Sequence, residues 1–410
     1  MDAGGRPPDG DPVDQGARGR SPRSAPVAVL AAAFLFNLGQ GVLRPTMPLY
    51  LQTVLTANYQ MVTSIPTVFG AGKWVASLPT GYLLDHVGRR ALMASGLLLI
   101  AFSDVASITT STFGVFLGLR AMAGVGWAMF GTVATAIMVD LPAAQRRGRA
   151  VSLLFMSETF GLLLGTLGSG WLYRGLGVAS PFVFEAACMV MAAVALGRWA
   201  APAARQPTEP RAPRDWRLFG TALRTPGVLL MGLTNAVLTA IQTGVLVFLF
   251  PLYLVERGGG GPETVGFLVS LGVVGRLLAL WLGGAASDRW GRMRVLTPGL
   301  LIYAALLAGL TFVTHPVALG LGSLAIGAAA GFVAALPTAL IGDQVTPPLQ
   351  AVAIGWLRTM TDSGQILGPL AMGALADAVD LSTPFLVGSV LLTAMAWQCY
   401  RRAGVLAAPA

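Results

Sequence analysis

The chain has 410 residues, 55% of them hydrophobic and only 11% charged, against roughly 25% charged in an ordinary soluble domain. With 18 Asp+Glu and 27 Lys+Arg it cannot clothe two or three water-soluble domains, so the natural solvent for most of its surface is lipid. The net charge of +9 falls as arginine in short gaps between apolar runs, which argues against nucleic acid as a partner and for charge that sets membrane topology.

Residues 1–24, rich in Gly, Pro, Asp and Arg, are expected to form a disordered cytoplasmic tail without the apolar core of a signal peptide. A membrane-crossing helix needs about 20 apolar residues. Runs of that kind fall near 26–51, 61–84, 91–110, 113–139, 150–173 and 181–199, and again near 227–253, 264–287, 295–314, 316–342, 350–376 and 383–400. The sequence therefore predicts an all-α membrane protein of twelve spans: a six-helix bundle over 25–199, a linker over 200–226, a second bundle over 227–400 and a tail over 401–410. Arg89, Arg90, Arg146, Arg147, Arg149, the linker arginines, Arg289, Arg292, Arg294, Arg401 and Arg402 all fall on one side, against essentially Arg174 and Arg257 on the other. Both termini and the proline-rich linker are thus expected in the cytoplasm.

Cys188 and Cys399 lie far apart in apolar runs, and His86 and His315 sit at span edges, so neither a disulfide framework nor a metal site is expected. No cofactor, nucleotide loop or catalytic constellation is visible, so the chain is not expected to be an enzyme or an ATP-driven pump.

The chain also repeats itself. A shift of 203 positions lays Pro48–Tyr50 on Pro251–Tyr253, and Gly72–Lys73 on Gly275–Arg276. Gly81, Asp85, Gly88 and Arg89 fall on Gly284, Asp288, Gly291 and Arg292. Asp140 falls on Asp343, Gly161, Gly165 and Gly170 on Gly364, Gly368 and Gly373, and Pro181–Phe182 on Pro384–Phe385. Two halves in the same orientation imply a pseudo-twofold axis along the membrane normal with a cavity between them.

On these residues, GYLLDHVGRR (81–90) resembles the helix 2–3 loop signature of the major facilitator superfamily, and GGAASDRWGR (283–292) its second copy. LRAMAGVGWA (119–128) is similar to the arginine motif of helix 4 in proton-coupled members. GLLLGTLGSG (161–170) resembles the helix 5 antiporter motif, with Gly165–Thr166 where that motif has Gly-Pro. The resemblance implies the superfamily fold and, more specifically, a drug:proton antiporter. In the loop signature, Gly81 and Gly284 would allow close helix approach, and Gly88 and Gly291 a tight turn. Asp85 would latch onto a helix start across the domain interface, with Asp288 and Arg292 in the second copy of that latch, while Arg89 and Arg90 meet lipid headgroups. The alternative is that these residues only fix the turn.

Nine ionisable residues interrupt the spans: Arg44, Lys73, Asp104, Arg120, Glu158, Glu185, Arg276, Arg358 and Asp362. Each costs on the order of 2.5 kcal/mol or more at mid-bilayer unless paired or wet. Lys73, the chain's only lysine, lies twelve positions before Asp85, and Arg276 lies twelve before Asp288, which puts both roughly 18 Å from the cytoplasmic edge. The superfamily arrangement sets helix 2 against helix 11 and helix 5 against helix 8, implying Lys73–Asp362 and Arg276–Glu158 pairs. These would either release on protonation or hold the halves permanently in register. Arg358, four before Asp362, offers that carboxylate another partner. Asp104 and Arg120 fall at similar depth near the outer face, as a proton-transfer pair by motif or as a buried structural one.

By the same resemblance helices 1, 4, 7 and 10 line a substrate cavity, to which Asn37, Gln40 and Arg44, Trp127, and Asn235 and Gln242 are assigned. Arg44 and Arg120 favour an anionic group and Glu158 a cation, so the sign of the substrate stays open. The expected activity is rocker-switch, proton-coupled efflux of an amphipathic small molecule by a cell-membrane monomer whose partners are substrate, protons and lipid, with no nucleic acid. An importer or facilitator of an organic anion, or a non-transporting sensor or scaffold, are the alternatives.

Overall fold

A backbone in lipid must satisfy its own hydrogen bonds, and each long apolar run here does so as a helix. The computed structural model describes residues 24–139, 144–199, 226–258, 260–345 and 347–406, and their regular structure is entirely helical. The first half contains α1 (Ser24–Leu55), α2 (Tyr59–Val87), α3 (Arg89–Thr109), α4 (Phe113–Val139), α5 (Ala144–Leu176) and α6 (Ser180–Trp199). In the second half, α7 runs from Pro226–Ala240 through a π-helical stretch, Ile241–Leu249, into Phe250–Gly258. It is followed by α8 (Pro262–Trp290), α9 (Arg292–Leu310), α10 (Pro316–Ala334 continuing as Leu336–Gln344), α11 (Pro347–Ala378) and α12 (Thr383–Leu406). The expected tails and linker at 1–23, 200–225 and 407–410 lie outside the described residues, but α12 continues past the expected boundary at residue 400.

Nine of these helices, among the described residues, are long and apolar enough to cross a membrane; α2, α11 and α12 do not reach that apolarity. For α2 and α11 the reason is packing. They lie against each other across the two halves, as α5 lies against α8, so the surface they share is protein rather than lipid. Within each half the pairings repeat: α1 on α5 and α7 on α11, α2 on α4 and α8 on α10, α3 on α6 and α9 on α12.

The repeat is reproduced in local detail. Gly88 and Gly291 have φ of 89° and 90°, a region open to glycine and strained for other residues, so each permits the abrupt turn between consecutive helices. Tyr50 packs on Phe182 and Tyr253 on Phe385, each with ring centroids 4.8 Å apart. The π-stretch in α7 has a local cause. Pro251 has no N–H to give, and Phe250 N–H bonds Val245 O, five residues back, widening the turn ahead of the proline.

Two apolar cores result. One is confined to the first half, joining Ala28–Phe36, Leu92–Ala101, Phe130–Ala134 and Ala186–Leu196. The other unites the second half with Leu43–Tyr50, Val62, Ile65, Phe116, Tyr173 and Phe182 of the first. These first-half residues lie toward the ends of α1 and α5 and the starts of α2, α4 and α6, on the face away from the chain's termini. The halves are therefore fused at this distal face.

Candidate functional site: a charged cavity between the halves

The distal closure is made by two contacts related by the repeat. Asp377, at the end of α11, accepts hydrogen bonds from Tyr59 N and Gln60 N at the start of α2, both 2.9 Å. In the repeat-related place Arg174, at the end of α5, pairs with Glu263 at the start of α8. Beside them Tyr59 Oη donates to Glu256. The helices cross closely because the crossing residue has no side chain: Gly170 abuts Pro262 and Glu263, and Gly373 abuts Thr63 and Gln60. In the neighbouring distal turn, hydrogen bonds from Thr383 hold the Asp380 carboxyl below the usual carboxylate range.

Deeper in, Thr67 Oγ1 donates to Ile366 O (2.7 Å), and Lys73 Nζ lies 3.2 Å from Asp362 Oδ1. Lys73 also donates to Gln365 Oε1 at 3.2 Å and sits 4.7 Å from the centre of the Trp127 ring. The expected Lys73–Asp362 pair is therefore formed, and Arg358 is exposed rather than paired with Asp362.

The expected Arg276–Glu158 pair is not among the ion pairs of the described residues. Both side chains line a cavity of about 560 Å³ between the halves, and that space separates them. Its lining includes Asn37, Arg44, Thr159 and Thr166 from the first half, and Gln242, Arg276 and Ser323 from the second, over a largely apolar wall with Phe155, Leu162, Leu246, Leu277 and Ile326. The charge facing Glu158 is Arg44 of its own half. Of the other residues assigned to the cavity, Gln40 is buried and donates to Glu185, Asn235 donates to Thr361, and Trp127 covers Lys73. None of these three lines the cavity.

Asp104 and Arg120 meet as expected, 2.9 Å apart and buried. Arg120 also reaches Ser103 and Ser107 Oγ, each at 2.9 Å, and is flanked by the Phe116 and Phe182 rings. Arg120 is therefore withdrawn from the cavity. Glu185, given no role from sequence, lies wholly buried close to this pair and links through Gln40 to Arg44, whose Nε donates to Gln40 Oε1 at 3.3 Å.

At the terminal face, Arg292 of the second loop signature pairs with Asp343 at 2.6 Å. The shift that laid Arg89 on Arg292 and Asp140 on Asp343 carried this signal, since both members recur together. Arg89 and Arg90 are half-buried at the start of α3, and the side chains of Gly81 and Asp85 lie outside the described residues. Asp288 is exposed, and nothing stands within 4 Å of a Cβ built on Gly284.

Two helical halves, joined at one face around a solute-sized cavity that holds three charges at membrane depth, define a membrane carrier. The family model of the Major Facilitator Superfamily matches residues 29–263 and 236–406, and the chain belongs to that superfamily as a multi-pass protein of the cell membrane. It is 24% identical over 382 residues to "Multidrug resistance protein MdtG" of Escherichia coli (strain K12 / DH10B), covering 90% of this chain and 92% of that one. Its fold is similar to the nucleoside transporter NupG (TM-score 0.76, 15% identity, 92% and 98% covered). It is also similar to a D-xylose-proton symporter (TM-score 0.71, 16% identity, 92% and 97% covered). Solutes that different on one fold mean that the substrate must be read from the cavity.

Proposed function

We propose that the chain is a twelve-helix secondary transporter with both termini in the cytoplasm, exporting an amphipathic small molecule in exchange for protons by rocker-switch alternating access. One observation carries this reading: a 560 Å³ cavity bounded by both halves and sealed at the distal face by cross-half contacts. Alternation needs a seal that can be transferred from one face to the other, and the loop-signature residues Gly81, Asp85, Gly88 and Arg89 with Gly284, Asp288, Gly291 and Arg292 supply the terminal-face half of it. The extended similarity to a multidrug resistance protein supports export.

Glu158 is the carboxylate that takes the coupling proton, because it faces the cavity and forms no ion pair among the described residues, whereas Asp362 and Asp104 are held by Lys73 and Arg120. The test is proton release or uptake by the purified protein in lipid nanodiscs as lipophilic cations and organic anions are added, comparing wild type with Glu158→Gln and Asp362→Asn. A substrate-induced change in bound protons that Glu158→Gln abolishes is the expected result. Binding with no proton movement in wild type overturns the antiport mechanism.

A further inference from the structure

We propose that the cavity recognises its solute through an anionic group, a carboxylate or sulfonate, gripped between Arg44 and Arg276, with an apolar body lying against the hydrophobic wall. The inference rests on the reading of this cavity as the transport site and adds the sign of the substrate. Three charged side chains line the cavity, Arg44, Arg276 and Glu158, leaving a net positive charge. The other intramembrane cations do not contribute: Arg120 is consumed by Asp104, Ser103 and Ser107, Lys73 by Asp362 and Gln365, and Arg358 is not in the lining.

The two guanidiniums come from opposite halves and are unequally satisfied. Arg276 makes no hydrogen bond or ion pair with any described residue, and Arg44 makes one hydrogen bond, through Nε to Gln40. Arg44 lies close enough to Arg276 for their charges to repel and is itself attracted by Glu185 and Glu158, whereas no described carboxylate faces Arg276. Two like charges facing each other inside a membrane are costly unless wet or neutralised. An anion placed between them removes that repulsion, and the planar donor fork of arginine matches a carboxylate or sulfonate. A lipophilic cation would meet one carboxylate already facing Arg44, and beside it the Arg276 guanidinium, which no described carboxylate faces. Leu162, Leu246, Leu277 and Ile326 provide the apolar surface for the rest of the solute. Because the grip draws one arginine from each half, the occupied site also pulls the halves together.

The experiment compares two ligands with the same ring and opposite charge, 2-naphthoate and trimethyl(2-naphthyl)ammonium. Binding to the full chain in neutral-lipid nanodiscs is read by calorimetry, and flux is read in proteoliposomes. The expected result is preferential binding of naphthoate, weakened about tenfold or more by Arg276→Gln and by Arg44→Gln, since each removes a charged hydrogen-bond donor. Arg276→Lys should recover part of the loss and Glu158→Gln should tighten binding, with thermal unfolding confirming that each variant is folded. Tighter binding of the ammonium compound overturns the inference, as does naphthoate affinity unchanged in Arg276→Gln, or no binding of either ligand. Naphthoate binding without flux would leave the anion site standing and sink the transport reading. Flux of the cation alone would do the reverse.

Discussion

Among single residues, Asp104 and Arg120 carry the highest stakes. Both are buried, and Asp104 Oδ2 and Arg120 Nε have no hydrogen-bond partner among the described residues. A buried pair adds little over an apolar one, yet removing one partner strands a charge. Asp104→Asn is therefore expected to destabilise the first half by about 3–5 kcal/mol, seen as a large loss of thermal stability in detergent. Asp104→Leu combined with Arg120→Met should recover most of it. If the single substitution leaves the unfolding midpoint unchanged, the ion pair does not carry the weight its geometry implies. These charges were legible in the sequence because each stands out against an apolar run. Lys73–Asp362 followed from helix adjacency plus equal depth. Arg276–Glu158 met the same criteria and failed, because depth and adjacency say nothing about whether a gap separates two side chains. The Gln40–Glu185 contact was illegible for a related reason: position on a helix face does not fix which neighbour a flexible amide reaches.

For the helices, the spans were readable from hydropathy and glycine punctuation, and the turns at Gly88 and Gly291 fall where the repeated signature put them. The extension of α12 to Leu406 was masked by Arg401 and Arg402, which look like an interfacial stop. Arg401 lies 5.9 Å from the Trp397 ring, so its charge stays at the membrane edge while the helix continues. The distal clasps were not foreseen, although the repeat aligns Arg174 with Asp377 and Gln60 with Glu263. They are unequal in strength. Arg174 is 71% exposed, and an exposed pair is worth about 0–1 kcal/mol. Asp377 caps two N–H groups of α2, and losing a cap costs about 0.5–2 kcal/mol. With a cysteine introduced at Asn37, distal labelling by a membrane-impermeant thiol reagent should rise about fivefold in Asp377→Ala, a shift of about 1 kcal/mol. Arg174→Ala should change it less than about twofold. Equal effects would contradict this ranking. Gly373→Leu, which forces α2 and α11 apart at Thr63 and Gln60, should raise labelling further.

For the whole molecule, the two readings of Lys73–Asp362 left open by the sequence, a bond that must break or a permanent register pin, separate on mechanical grounds. The pair sits at mid-helix, whereas Gln60 lies thirteen residues along α2 from Lys73 and Asp377 fifteen along α11 from Asp362, about 20 Å away. A rigid rotation on the order of 15° about a pivot near the pair would displace the distal clasp by about 5 Å, enough to break 2.9 Å hydrogen bonds, while moving the pair itself little. The geometry thus favours the pair as pivot and the clasps as the contacts that open. A disulfide joining Gln60→Cys and Asp377→Cys is accordingly expected to arrest flux in proteoliposomes and to release it on reduction. A short bis-thiosulfonate linker joining Lys73→Cys and Asp362→Cys should leave flux close to that of the same variant before linking. Both native cysteines are buried, which keeps the labelling specific. Arrest by the central linker as well would show that the pair must separate in each cycle, moving it from the pivot to the coupling machinery.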